Sequence, residues 1–148
     1  MNFRRSITRT AIARAVNPVI LAAALITTDF LDALAEIESN TNDAAYNAAE
    51  QAVGRYQIRP IYLADANAFL GTTYTILEMQ DPEKAERVVR GYLTRYAQVF
   101  YEKHGKMPSP SQLARIHNGG PTGWAKDCTK EYGEKFRAAF GRDTWDQE

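Results

Sequence analysis

Glu38 stands where an acid can act as a proton donor. It closes residues 31–39 (LDALAEIES), where Phe30, Leu31, Leu34 and Ile37 recur at helical spacing. Glu38 falls seven residues after Leu31 and four after Leu34, so a 3.6-residue period puts it on or beside the inward face. A carboxyl there, in the last turn of its helix, has two reasons to keep its proton. Desolvation disfavours the charge, and so does the negative end of the helix dipole. Such a group can protonate a leaving oxygen at neutral pH. The same spacing sends Glu36, with Asp29, Asp32 and Ala33, to the face expected to meet water. An acid beside an apolar stripe is more often a rim residue whose head reaches solvent. The chemical reading of Glu38 therefore depends on what else the chain brings near it.

The elements that must position it follow from local signals. Thr28 is the expected cap of the Glu38 helix, and Asp29 and Asp32 suit its positive first turn. The cluster Ser39-Asn40-Thr41-Asn42-Asp43 ends it in a turn. Residues 44–53 (AAYNAAEQAV) are ambiguous between a short helix and a loop with a small β-hairpin. Gly54 and Pro60 then bracket Arg55–Arg59, in which Tyr56 and Ile58 alternate with polar residues. Residues 61–69 read as a helix closed by Gly71.

Asp81 as N-cap and Pro82 at the first helical position open the strongest helix in the chain. Its stripe of Ala85, Val88, Val89, Tyr92, Leu93, Tyr96, Val99 and Phe100 runs to about Tyr101 and reads as core. Ser109 and Gln112 form a capping box for the next helix, which runs into an irregular loop at His117-Asn118-Gly119-Gly120-Pro121. The last helix carries Trp124, Cys128, Tyr132, Phe136 and Phe140 at four-residue intervals, which makes Cys128 a small buried hydrophobe. Gly141 stops it.

The 148 residues suffice for one domain with a real core and no staples. Lys+Arg and Asp+Glu balance at 18 each, so no strong field points to nucleic acid or an anionic membrane. A single cysteine excludes an internal disulfide. With His104 and His117 scattered, no zinc or Cys/His catalytic pattern forms, and neither metal nor cofactor is expected. Residues 1–28 hold Arg4, Arg5, Arg9 and Arg14 and no acid, followed by a short apolar run and Ala22-Ala23-Ala24. They read either as a signal peptide or as an N-terminal helix packed on the domain. Arg14 and Pro18 interrupt the segment, so stable membrane insertion is not expected. The expected division is 1–28, a domain over 29–141, and a tail over 142–148.

Three stretches in this order resemble one family. They are Glu38-Ser39 ending a helix, residues 54–60 (GRYQIRP), and residues 117–121 (HNGGP). The pattern is similar to that of soluble lytic transglycosylases and goose-type lysozymes, with Tyr132 matching the tyrosine that completes the family's site. The Glu38-to-Gln57 interval of 19 residues fits. Tyr56, His117 and Gly120 depart from the usual Met, Tyr and Ala.

The resemblance implies a mostly α, lysozyme-like α+β fold, with a small irregular or β-hairpin element near residues 44–60. It implies an enzyme acting on peptidoglycan glycan strands as a monomer. The protein would be secreted or periplasmic, or phage-encoded and delivered to the wall. Glu38 would protonate the β-1,4 bond between N-acetylmuramic acid and N-acetylglucosamine. As carboxylate it would then take a proton from the muramoyl 6-hydroxyl, closing a 1,6-anhydro ring. Ser39, Tyr56, Gln57, Asn118, Gly119 and Tyr132 would hold substrate or Glu38, the amides and phenol doing so without added charge. The hydrolytic alternative needs a second carboxylate, and Glu50, twelve residues after Glu38, is its candidate ahead of Asp43 and Asp65. A chitinase-type enzyme and a non-catalytic glycan-binding module are the other readings.

Overall fold

The computed structural model describes residues 16–141. In chain order the described elements are α1 (Pro18–Leu25), α2 (Thr28–Ser39), β1 (Tyr46–Asn47), β2 (Ala52–Val53) and α3 (Pro60–Leu70). They continue with α4 (Pro82–His104), α5 (Pro110–Gly119) and α6 (Lys130–Phe140). Short 3₁₀ turns at Ile76–Gln80, Gly123–Ala125 and Asp127–Thr129 join them. The expected mostly helical architecture with a small β element is what forms. Of the two readings of residues 44–53, the hairpin is the one adopted, with Tyr46 opposite Val53 and Asn47 opposite Ala52.

α4 is the axis of the core. Asp81 caps it by accepting from the N–H groups of Glu83 (3.0 Å) and Lys84 (3.2 Å), and α1, α3 and α5 pack along it. Ala85, Val88, Val89 and Leu93 are fully buried there, in one core with Leu113 and Ile116 of α5 and Phe30 and Leu34 of α2. α6 closes the other side of α2 through Phe136, whose ring centroid lies 5.0 Å from that of Phe30. The helix runs on to His104 before Gly105 turns left-handed at φ +71°. Val99, expected on the buried stripe, is 48% exposed, and Ala97 is buried instead.

Several local expectations are corrected by tertiary packing. Thr27, not Thr28, caps α2, its Oγ1 accepting from the Phe30 N–H at 3.2 Å. Ala33 is buried rather than solvent-facing, while Asp29, Asp32 and Glu36 do meet water. His117, Asn118 and Gly119 belong to the last turn of α5, and the irregular chain starts only at Gly120 (φ +87°). A Cβ at Gly119 would sit 2.5 Å from Thr129 Cγ2, so this glycine serves close packing, not a turn. Trp124 and Cys128 precede α6 on 3₁₀ turns, which breaks the four-residue phase. Cys128 is consequently exposed, and its neighbour Thr129 is buried, donating to the Gly123 carbonyl at 2.6 Å.

α1 packs on α4, with Ala22 and Ile26 in the core and the Arg90 guanidinium donating to the Ile26 carbonyl at 2.5 Å. Arg4, Arg5, Arg9 and Arg14, and the tail over 142–148, lie outside the described residues. Among the described residues no single helix is long and apolar enough to cross a membrane.

Gly54 fixes how the hairpin meets the rest of the fold. Its φ is +81°, and a Cβ there would lie 2.0 Å from the Met79 carbonyl oxygen, a backbone atom that cannot swing aside. Gly54→Ala combines a left-handed strain of about 1–2 kcal/mol with an overlap costing about 1–3 kcal/mol. Denaturant unfolding should register a loss of about 2–5 kcal/mol; a change within ~0.5 kcal/mol, the size of a neutral surface substitution, would contradict this placement.

Candidate active site

Three helix ends converge on Glu38. The last turn of α2 supplies the carboxyl, the last turn of α5 brings His117, and the first turn of α6 brings Tyr132. The Glu38 side chain is 16% exposed. The Tyr132 hydroxyl donates to Glu38 Oε1 at 2.6 Å, and His117 Nε2 lies 3.5 Å from that same oxygen. Both contacts fall on Oε1.

His117 is itself fixed. It is only 4% exposed, and its Nε2 sits 3.0 Å from the Tyr56 carbonyl oxygen. A carbonyl only accepts, so Nε2 carries the ring proton. Nδ1, 2.9 Å from the Tyr62 hydroxyl, then accepts from it. Burial, with the charges of Tyr92 and Glu38 adding to it, pushes the Tyr62 hydroxyl well above its ordinary value. Burial followed by the Glu38 carboxylate does the same to Tyr132. Both phenols therefore stay protonated donors, and hydrogen bonds run in one direction, from Tyr62 through His117 to the Tyr56 carbonyl. Tyr62 is held in turn by stacking on Tyr92, with ring centroids 3.6 Å apart.

A polar cleft opens over this group, lined by Glu38, Asn47, Glu50, Gln57, Arg59, His117 and Asn118. The hairpin carries Glu50 to it on the turn between β1 and β2. Gln57 is held at φ +50°, with its Nε2 donating to the Gly54 carbonyl at 3.0 Å. Arg59 Nη2 donates to the Asn118 carbonyl at 3.0 Å, tying the start of α3 to the end of α5. Of the residues singled out in the sequence, Glu38, Glu50, Gln57 and Asn118 line the cleft, and Tyr132 reaches Glu38 from behind.

Ser39, Tyr56 and Gly119, expected to hold substrate, are not among the residues lining the cleft. The Ser39 hydroxyl donates to the Arg55 carbonyl at 2.8 Å and accepts from the Asn42 N–H at 3.0 Å, fastening α2 to the hairpin. Tyr56 is buried and contributes its backbone carbonyl to His117. Gly119 lines a neighbouring groove. Asp43 is taken by Arg55, which donates to both of its oxygens at 2.7 and 3.2 Å and holds its carboxyl below the usual range. Asp65 is engaged by Arg95 at 3.3 Å and by the Tyr96 hydroxyl. Of the three acids considered as partners for Glu38, only Glu50 shares its cleft.

Periodicity and turn signals alone do not single out Tyr62, Arg59 and Asn47 for the site, and His117 reads in the sequence as a loop residue. Arg59 adjoins Gln57 in one short motif, which was a usable signal. Tyr62 carried none, since it reads as an ordinary core aromatic. Among the described residues no cluster of three His, Cys, Asp or Glu side chains could hold a metal ion. Residues 27–139 match the family described as Destabilase. No curated protein sequence matches the chain.

Proposed function

This chain belongs to the Destabilase family, which is lysozyme-like, and we propose that it hydrolyses the β-1,4 bond between N-acetylmuramic acid and N-acetylglucosamine in peptidoglycan. The match carries the lysozyme-like resemblance and not the narrower one to soluble lytic transglycosylases and goose-type lysozymes. Glu38 is the proton donor to the glycosidic oxygen, and Glu50 is the second carboxylate, which activates water on the other face of an oxocarbenium-like transition state. The observation that carries this reading is the presence of both carboxyls in one cleft, with the rival acids Asp43 and Asp65 consumed elsewhere. Tyr132 holds Oε1 by a hydrogen bond and the fixed His117 ring packs beside it, so the Glu38 carboxyl keeps one orientation while its other oxygen works. Gln57 and Asn118 present uncharged groups suited to sugar acetamido and hydroxyl functions.

Transglycosylation is the second reading, and one observation favours it. Glu38 is held by the Tyr132 hydroxyl with the fixed His117 ring beside it, whereas Glu50 sits exposed on a hairpin turn. A single fixed acid suffices when the muramoyl 6-hydroxyl is the nucleophile.

The test is to digest purified peptidoglycan and weigh the products. Reducing ends, one water heavier than anhydro ends, are the expected outcome. Anhydro-muropeptides as the main product would replace hydrolysis with transglycosylation. Secretion or delivery to the cell wall, and action as a monomer without cofactor, belong to the same proposal.

A further inference from the structure

A second groove meets the catalytic cleft at Arg59, which lines both. Ile61, Tyr62 and Pro121 give it apolar walls, and Lys126 stands beside them. Ile61 is 79% exposed, an aliphatic side chain left in water by the fold. Arg59 donates to the Asn118 carbonyl, and Lys126 Nζ donates to the Gly119 carbonyl at 2.7 Å. The last carbonyls of α5 therefore aim both cations, and among the described residues neither is ion-paired with a carboxylate. Asp65, the one acid lining the groove, is already engaged by Arg95 and Tyr96. The charge left for a ligand is positive.

We propose that this groove takes the stem peptide of the muramoyl residue, with Lys126 and Arg59 holding its carboxylates and Ile61 and Pro121 its apolar side chains. The assignment rests on the peptidoglycan-cleaving function above. The stem peptide hangs from the lactyl group of the sugar whose bond is broken. A branched substrate therefore needs a side channel leaving the cleft close to the acid, and the groove begins there. Its charge is complementary to a peptide rich in carboxylates. Chitin, which carries neither lactyl group nor peptide, leaves the groove empty, so the same feature separates the two polymers.

Three substrates test this: glycan strands bearing stem peptides, the same strands stripped by an amidase so that only the lactyl carboxylate remains, and N-acetylglucosamine oligomers. The folded full chain should cleave stem-bearing strands with kcat/KM roughly 10- to 100-fold above stripped strands, the worth of a charge-assisted contact. Lys126→Glu should drive that ratio toward one, and Lys126→Arg should preserve it. Ile61→Ser, at a side chain already in solvent, should lower the ratio too and decides the matter if Lys126→Glu fails to fold. Equal kcat/KM on stem-bearing and stripped strands overturns the groove assignment, even if both are preferred over chitin oligomers. So does a wild-type ratio in folded Lys126→Glu. Failure to cleave any of the three overturns the function itself, whereas cleavage of all three with no stem preference overturns the groove alone.

Discussion

Glu38→Gln should lower peptidoglycan cleavage by about 10²–10⁴-fold, the usual worth of a general acid, with the fold unchanged. The amide keeps the shape of the carboxyl, and its oxygen can still accept from the Tyr132 hydroxyl, which now lies 2.6 Å from Oε1. What is lost is the ionisable proton. The side chain lines the cleft, and the apolar residues of α2 that carry stability, Phe30, Leu31 and Leu34, are untouched. Muropeptide release and thermal unfolding measured on the same preparation separate the two effects. Residual cleavage within tenfold of wild type by a folded variant would remove Glu38 from the proposed role.

Glu50→Gln should reduce hydrolysis by a comparable ~10²–10⁴-fold, because glycoside hydrolysis through a water nucleophile uses two carboxylates. Stability should hardly move. Glu50 is exposed on the β1–β2 turn, and its side chain enters no ion pair among the described residues. The useful readout is the rate of product formation together with product mass. Deep loss of cleavage, as for Glu38→Gln, assigns Glu50 the second role. Undiminished cleavage yielding anhydro ends would show that Glu38 works alone, with the muramoyl hydroxyl in place of water.

Much of the scaffold was legible because helix boundaries are local. Asp81-Pro82 at α4 and the Ser109–Gln112 box at α5 each satisfy orphan N–H groups within a few residues, and both helices start there. Gly71, Gly105 and Gly141 end their helices in the left-handed region for an equally local reason. Local signals mislead where a neighbour distant in sequence intervenes. The HNGGP stretch contains two glycines and reads as a break. Yet α5 continues through His117, Asn118 and Gly119, because Gly119 lets α5 pack on Thr129 and Arg59 satisfies the Asn118 carbonyl. Cys128 leaves the expected buried stripe for a related reason. A four-residue spacing maps to one face only if the helix is continuous, and two 3₁₀ turns interrupt it.

For the site the division is the same. That Glu38 closes an amphipathic helix on its inner edge, and that Gln57 and Asn118 follow on short motifs, can be read locally, since periodicity and turn chemistry act over a few residues. Packing between distant elements selected the groups around the acid. Tyr132 is 94 residues from Glu38, and the Tyr62–His117 bond joins positions 55 apart. It also decided that Glu50 shares the acid's cleft while Asp43 and Asp65 are spent on arginines. Helical spacing states which face a side chain occupies. What occupies the opposite face is settled by packing between elements, and the chemistry of Glu38 depends on those partners.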